Sequence, residues 1–186
     1  MTHYDATKQM AHPGLPDAER PLRIGSFRYF DIETTGLRPD RGAEITEIAV
    51  VDRSCVRIDW QRERDGQSVA RQLPLLFDAL GEGVVVGHNL PFDFRFVTYE
   101  AERHRVPGPT IHFIDTMHLA RRTVDQTSDV QISTLLSYFD ITPDGALHTA
   151  LVDVRATRAL FWALVEHSDL QTFADAGIRR LDWSTF

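Results

Sequence analysis

Cysteine is nearly missing: Cys55 is the only one in 186 residues. That excludes a disulfide framework and a thiolate metal cluster, and it fits a reducing compartment. Long apolar runs are missing too, since stretches such as Val84-Val85-Val86 fall far short of the roughly 20 residues of a spanning helix. The first residues hold no apolar signal-peptide core, so the expected address is the cytoplasm, with no membrane partner. Basic residues are the minority, 20 against 27 acidic, for a net charge of −7. A protein that grips long nucleic acid mainly through phosphates is normally basic, which argues against a high-affinity duplex binder of that kind. The balance does not exclude an enzyme that holds a short strand end through bound metals. No internal repeat or low-complexity segment stands out. The length suits one domain with a sizeable core.

What is there falls into three parts. Residues 1–24 are polar, carry Pro13, Gly14, Pro16 and Pro21, and read as a flexible N-terminal arm. Residues 25–168 alternate strand and helix patterns, and 169–186 form a C-terminal tail with room for a further turn or two. Strands are expected at about 25–33, 45–51, 55–60, 84–88 and 111–114. The short joint Asp52-Arg53-Ser54 makes the second and third a hairpin. Gln61 to Gln67 reads as a charged linker. Helices are expected at about 68–81, 90–104, 116–122, 130–139 and 149–167, with Asn89 as an N-cap and Pro91 in the first turn after it. A hairpin followed by alternating helices and strands implies an α/β domain with a mixed, five-stranded sheet flanked by helices.

Two carboxylates interrupt the first apolar strand. Asp31 and Glu33 are two residues apart, so they share a face of the strand and sit side by side. Thr34-Thr35-Gly36 ends the strand, and the nearby Arg28 faces the other way. Adjacent buried carboxylates repel and lose hydration, at several kcal/mol per unpaired charge, roughly. A divalent cation would compensate; a strand end whose acids reach water would need none, and this stretch alone fits both readings. Further candidates stand where strands give way to helices: His88 and Asn89 after the fourth strand, Asp93 in the next helix's first turn, and His148 and Asp153 at the last helix. Five residues of helix turn the chain by about 500°, so His148 and Asp153 converge only if His148 precedes the helix. Such strand and helix ends are where α/β sheets place ligands.

Phe30 to Leu37 (FDIETTGL), Gly87 to Val97 (GHNLPFDFRFV) and His148 to Thr157 (HTALVDVRAT) resemble, in order, the three motifs of the DEDDh 3′–5′ exonucleases. Ile114-Asp115-Thr116 with Leu119-Ala120-Arg121 is similar to a further family segment, and the resemblance spans about residues 27–167. It implies a ribonuclease-H-like fold. It implies two divalent ions, Mg²⁺ or Mn²⁺, held by Asp31, Glu33, Asp93 and Asp153, with His148 taking a proton from the attacking water. Thr34, Thr35, Gly36, Leu37, His88, Asn89 and Phe92 would border the terminal nucleotide. The implied partner is single-stranded or 3′-end nucleic acid, DNA in preference to RNA, with a polymerase or other replication protein as a further partner. RNA trimming is the alternative activity, and a catalytically idle scaffold the alternative class; the five filled catalytic positions disfavour the scaffold. One departure stands out: the segment between Asp31 and Asp93 is shorter than usual in the family, lacking a stretch that helps to wall the nucleotide pocket. A weaker substrate grip is expected.

Several tempting features have plainer readings. Asp115 is expected to cap the helix after it. Gln72 to Phe77 (QLPLLF) is loosely similar to a sliding-clamp tether, but its leucines fit a core-facing helix. Arg103-His104-Arg105, Arg121-Arg122 and Arg179-Arg180 read as solvated faces, with Arg121 and Arg122 able to guide a phosphate backbone.

Overall fold

The computed structural model describes residues 18–183. Its centre is β1 (Phe27–Thr34), which pairs antiparallel with β2 (Ile45–Val51); β2 pairs antiparallel with β3 (Val56–Gln61). On its other side β1 runs parallel to β4 (Val84–Gly87), and β4 parallel to β5 (Thr110–Asp115). A sixth strand, β6 (Arg179–Asp182), closes that edge antiparallel to β5, giving the order β3-β2-β1-β4-β5-β6. The helices are α1 (Arg62–Asp65), α2 (Val69–Gly81), α3 (Leu90–His104), α4 (Thr116–Thr123), α5 (Ile132–Tyr138) and α6 (Ala150–His167).

Period-two alternation on β1 sorts its side chains between two cores. Phe30 and Ile32 join Leu73, Leu76, Phe94 and Val97 beneath α2 and α3. Phe27 and Tyr29 join Leu119, Val154, Leu160 and Phe161 beneath α4 and α6. Asp31 and Glu33 continue the row of Phe27 and Tyr29, toward α6, where two aromatics have given way to two carboxylates. The clamp-like stretch packs inward through Leu73, Leu76 and Phe77, which are buried, while Leu75 points outward at 57% exposed.

The sheet has six strands, not the expected five. Arg179–Asp182 holds a single apolar residue, Leu181, too little for a strand signal. The strand is drawn in by Leu181 and the following Trp183, both buried in the α2–α3 core. The expected linker at 61–67 contains the helix α1. Of the expected arm, residues 1–17 lie outside the described residues. Residues 18–24 pack down instead: Leu22 is buried, and its N–H donates to Gln171 C=O at 2.9 Å. Asn89 does occupy the N-cap of α3, but with φ 66° and no side-chain capping bond.

Candidate active site at the end of the central strand

β4 partners β1 only as far as Tyr29, so the rest of β1 is open on that side. α3 starts there. Gly87 lets β4 turn tightly past β1, because a Cβ would come within 2.9 Å of Phe30 C=O. Asp93, 3% exposed, then reaches across, and its Oδ1 accepts the unpaired Ile32 N–H at 3.1 Å. The gap lies at the switch point of the sheet, where the connection from β1 leads one way and that from β4 the other.

α6 brings the second half. His148 lies just before the helix with φ 71°, a left-handed conformation that costs a non-glycine residue about 1–2 kcal/mol. It is held there by its backbone N–H donating to Asp153 Oδ2 at 3.1 Å, so Asp153 anchors the loop to the first turns of α6. Glu33, His148 and Asp153 each present one donor atom within 4.8 Å of the others. Asp153 Oδ1 is buried without a hydrogen-bond partner. An orphaned buried carboxylate oxygen beside a second carboxylate and an imidazole suits a hard divalent cation such as Mg²⁺ or Mn²⁺. Asp31 and Asp93 stand outside this tight trio but within its field.

The charges act on one another accordingly. Burial, followed by the Asp93, Asp153, Glu33 and Glu47 charges, pushes Asp31 well above the usual carboxylate range. Burial also pushes Asp93 well up, against the Ile32 N–H bond that lowers it and with Asp115 and Glu33 adding to the rise. Glu33 is raised by burial and then by Asp153 and Glu47, with His148 opposing. Asp153 is raised by burial and by Glu47, against the His148 N–H bond and charge.

Glu47 is the residue that sequence reasoning missed. It lies directly across the hairpin from Glu33, and its Oε2 accepts the Ala150 N–H, in the first turn of α6, at 3.0 Å. It therefore ties β2 to the helix that carries Asp153. The one signal in the sequence was a carboxylate inside the apolar run ITEIAVV; its neighbours follow only from the hairpin register.

The residues expected to border a nucleotide divide into two groups. Thr34, Thr35, Gly36 and Leu37 form the turn after β1, braced by Thr34 Oγ1 donating to Gly36 C=O and Glu44 N–H donating to Thr35 Oγ1. Leu37 is 75% exposed, and its C=O accepts from Arg95, whose guanidinium lies 5.4 Å from the Phe92 ring centroid. Arg95 thus links the Leu37 backbone to the Phe92 ring. His88 is placed differently. Its Nε2 lies 3.0 Å from Val130 C=O and its Nδ1 2.9 Å from Thr116 Oγ1, so both ring nitrogens are engaged by the protein. Burial pushes it below the usual histidine range, and Nε2, facing a carbonyl that can only accept, is placed to donate. The Asn89 N–H donates to Asp115 Oδ1, and Asp115 caps α4 as expected, accepting from the Met117 and His118 N–H groups.

Residues 54–161 match the RNase T exonuclease family, a span that includes Asp93, His148 and Asp153 and begins after β1. The chain is 27% identical over 190 residues to a PolC-type DNA polymerase III of Oceanobacillus iheyensis, covering 88% of this chain and 13% of that protein. It is 30% identical over 182 residues to a DNA polymerase III subunit epsilon-like protein of Rhodobacter capsulatus, covering 80% of this chain and 25% of that one. The chain spans less than a third of the length of these curated relatives. Among solved structures it resembles exonuclease X in complex with 5′ overhanging duplex DNA, with a TM-score of 0.56 and 22% identity over 81% of this chain and 99% of that one. The expected ribonuclease-H-like fold is the fold observed.

Proposed function

This chain belongs to the RNase T exonuclease family, and from that premise we propose that it is a metal-dependent 3′–5′ exonuclease acting on DNA ends. The observation that carries this reading is the trio Glu33, His148 and Asp153, with donor atoms within 4.8 Å of one another, reinforced by the field of Asp31, Asp93 and Glu47. Asp31, Glu33, Asp93 and Asp153 would hold two Mg²⁺ or Mn²⁺ ions. When bound, these supply charge neutralisation at the phosphodiester and a lowered pKa for the attacking water.

The chain's own residues do the rest. His148, exposed at the mouth of the site, accepts the proton of the attacking water on an imidazole nitrogen. The water oxygen bonds to phosphorus, the bond to the 3′ oxygen of the penultimate nucleotide breaks, and that oxygen takes a proton from solvent. The product is a 5′-mononucleotide. Leu37 and Phe92 flank the terminal base, and the turn Thr34-Thr35-Gly36 borders its sugar. Asn89 and His88 support the β4–α3 turn that presents Phe92 and Asp93. DNA is preferred as substrate because the relatives include DNA polymerase III proteins and exonuclease X was solved on DNA. The DNA polymerase III relatives support a polymerase as partner. No helix among the described residues is long and apolar enough to cross a membrane.

The test is digestion of end-labelled single-stranded DNA and RNA side by side, with Mg²⁺, Mn²⁺ or EDTA. The reading expects mononucleotide release with either ion, none in EDTA, and faster loss of DNA. Faster loss of RNA would transfer the activity to RNA trimming, and no cleavage of either would leave the scaffold reading.

A further inference from the structure

At the far end of β1 from the carboxylates lies a cavity of about 510 Å³, lined by residues from the start of β1, the β2–β3 turn and α6. Four arginines line it, Arg23, Arg28, Arg53 and Arg158, against one carboxylate, Asp52. That is an excess of positive charge in a chain of net charge −7. Asp52 is already committed to its own turn, accepting from the Ser54 and Cys55 N–H groups. Among the described residues Arg23 and Arg53 join no ion pair, and Arg158 donates only to Asp52 C=O at 3.4 Å. Arg28 is 8% exposed, and although its terminal nitrogens bond Ser26, Phe27 and Glu82, its buried Nε has no partner. Burial pushes the neighbouring Tyr29 up to about 12, with Trp162, Arg158 and Arg53 pulling it back. The larger cavity, about 860 Å³ between β3 and α2, offers no such excess: its arginines Arg57 and Arg64 are paired with Glu82, Asp59 and Asp65.

All these cations are arginines; the only lysine of the sequence, Lys8, lies outside the described residues. Guanidinium forks match phosphate oxygens two at a time. Arg28 and Glu33 are five residues apart on β1, about 17 Å at strand rise, and Asp153 and Trp162 nine apart on α6, about 14 Å at helical rise. At 3.4 Å per phosphate of a stacked strand, that separation is about four to five nucleotides. We propose that this cavity binds a backbone phosphate of the nucleic-acid strand whose 3′ end occupies the carboxylate site, a reading that rests on the exonuclease function. It would secure the grip that a trimmed nucleotide pocket lacks.

The test uses the full chain and a 5′-fluorescein dodecathymidylate, in EDTA so that the strand is bound and not cut. Arg53→Gln with Arg158→Gln should weaken binding about 10-fold and flatten the salt dependence of the affinity by about one to two phosphate contacts. Hydrolysis of dithymidylate, too short to reach the cavity, should keep its wild-type kcat/KM with Mn²⁺. Should the double variant melt early, Arg23→Gln, at an exposed position, makes the same comparison with a loss of about one contact. Wild-type affinity and salt dependence in a folded variant would overturn the proposal, as would an equal loss on dithymidylate. Equilibrium dialysis with thymidine 5′-monophosphate separates the sources: uptake lost in the variant while strand affinity holds would make the ligand a free nucleotide and overturn the strand assignment. If the wild type cuts no nucleic acid at all, the exonuclease reading falls; binding in EDTA that still depends on Arg53 and Arg158 would keep the phosphate site.

Discussion

Glu47 gives the sharpest single-residue prediction, because its two roles pull in opposite directions. Its Oε2 accepts the Ala150 N–H at 3.0 Å, which holds the start of α6 on β2. Its charge meanwhile raises Asp31, Glu33 and Asp153. Glu47→Ala removes both effects, whereas Glu47→Gln keeps an acceptor oxygen and removes only the charge. A lost capping bond costs about 1 kcal/mol, which for a domain of this size moves Tm by about 2–4 °C. In EDTA at neutral pH the Gln variant should therefore melt above the wild type, through relief of repulsion, and the Ala variant about 2–4 °C below the Gln variant. With Mn²⁺ saturating, Glu47→Ala should lose about 10- to 100-fold in turnover, as partners that orient ligands do, and Glu47→Gln should recover most of it. Thermal melts and single-turnover cleavage read both quantities. Equal melting of the two variants, with wild-type turnover in each, would refute the idea that Glu47 positions α6.

Three further outcomes are expected. His148→Ala should cut turnover about 10²–10⁴-fold. His148→Gly should be as inactive but about 1 kcal/mol more stable than the Ala variant, since φ 71° suits glycine; identical melts would deny the strained backbone. Raised site carboxylates bind protons more tightly in the folded chain than in the unfolded one, where they titrate near 3.8 to 4.5. Their contribution therefore favours the fold at low pH and is lost as pH climbs from that range through the folded values. Ion-free wild type should accordingly lose stability against Asp31→Asn as pH rises above the 3.8 to 4.5 of the unfolded carboxylates, with millimolar Mg²⁺ abolishing the difference in slope; parallel curves in EDTA would contradict the clustering. Leu37→Ala, at a 75% exposed position, should raise KM several-fold with kcat and Tm nearly unchanged, and an unchanged KM would remove Leu37 from the substrate.

The parts of the site legible in the sequence were those with a fixed local period. Asp31 and Glu33 break an apolar strand at alternate positions, so their shared face follows from the pleat alone. The relation of His148 to Asp153 followed from helix geometry, which required the histidine to precede α6, as it does. What stayed hidden depended on register and on distant packing. Glu47 faces Glu33 only because the β1–β2 hairpin pairs in that register. β6 exists because Leu181 and Trp183 find the core beneath α2 and α3, which Arg179-Arg180 gives no hint of. His88 is tied to Val130 and Thr116, 42 and 28 residues away, so its engaged nitrogens could not be read locally. The left-handed backbone of Asn89 likewise arises from the tight passage of β4 into α3, with the Asn89 N–H held by Asp115.

The most direct test of the central claim is the fate of a 5′-labelled single-stranded DNA with its 3′ end either open or blocked, incubated with the wild-type chain and Mn²⁺. The account predicts a ladder that shortens one nucleotide at a time from the open 3′ end, releasing 5′-mononucleotides, and near-complete protection by the block. A blocked strand digested as fast as the open one would contradict it.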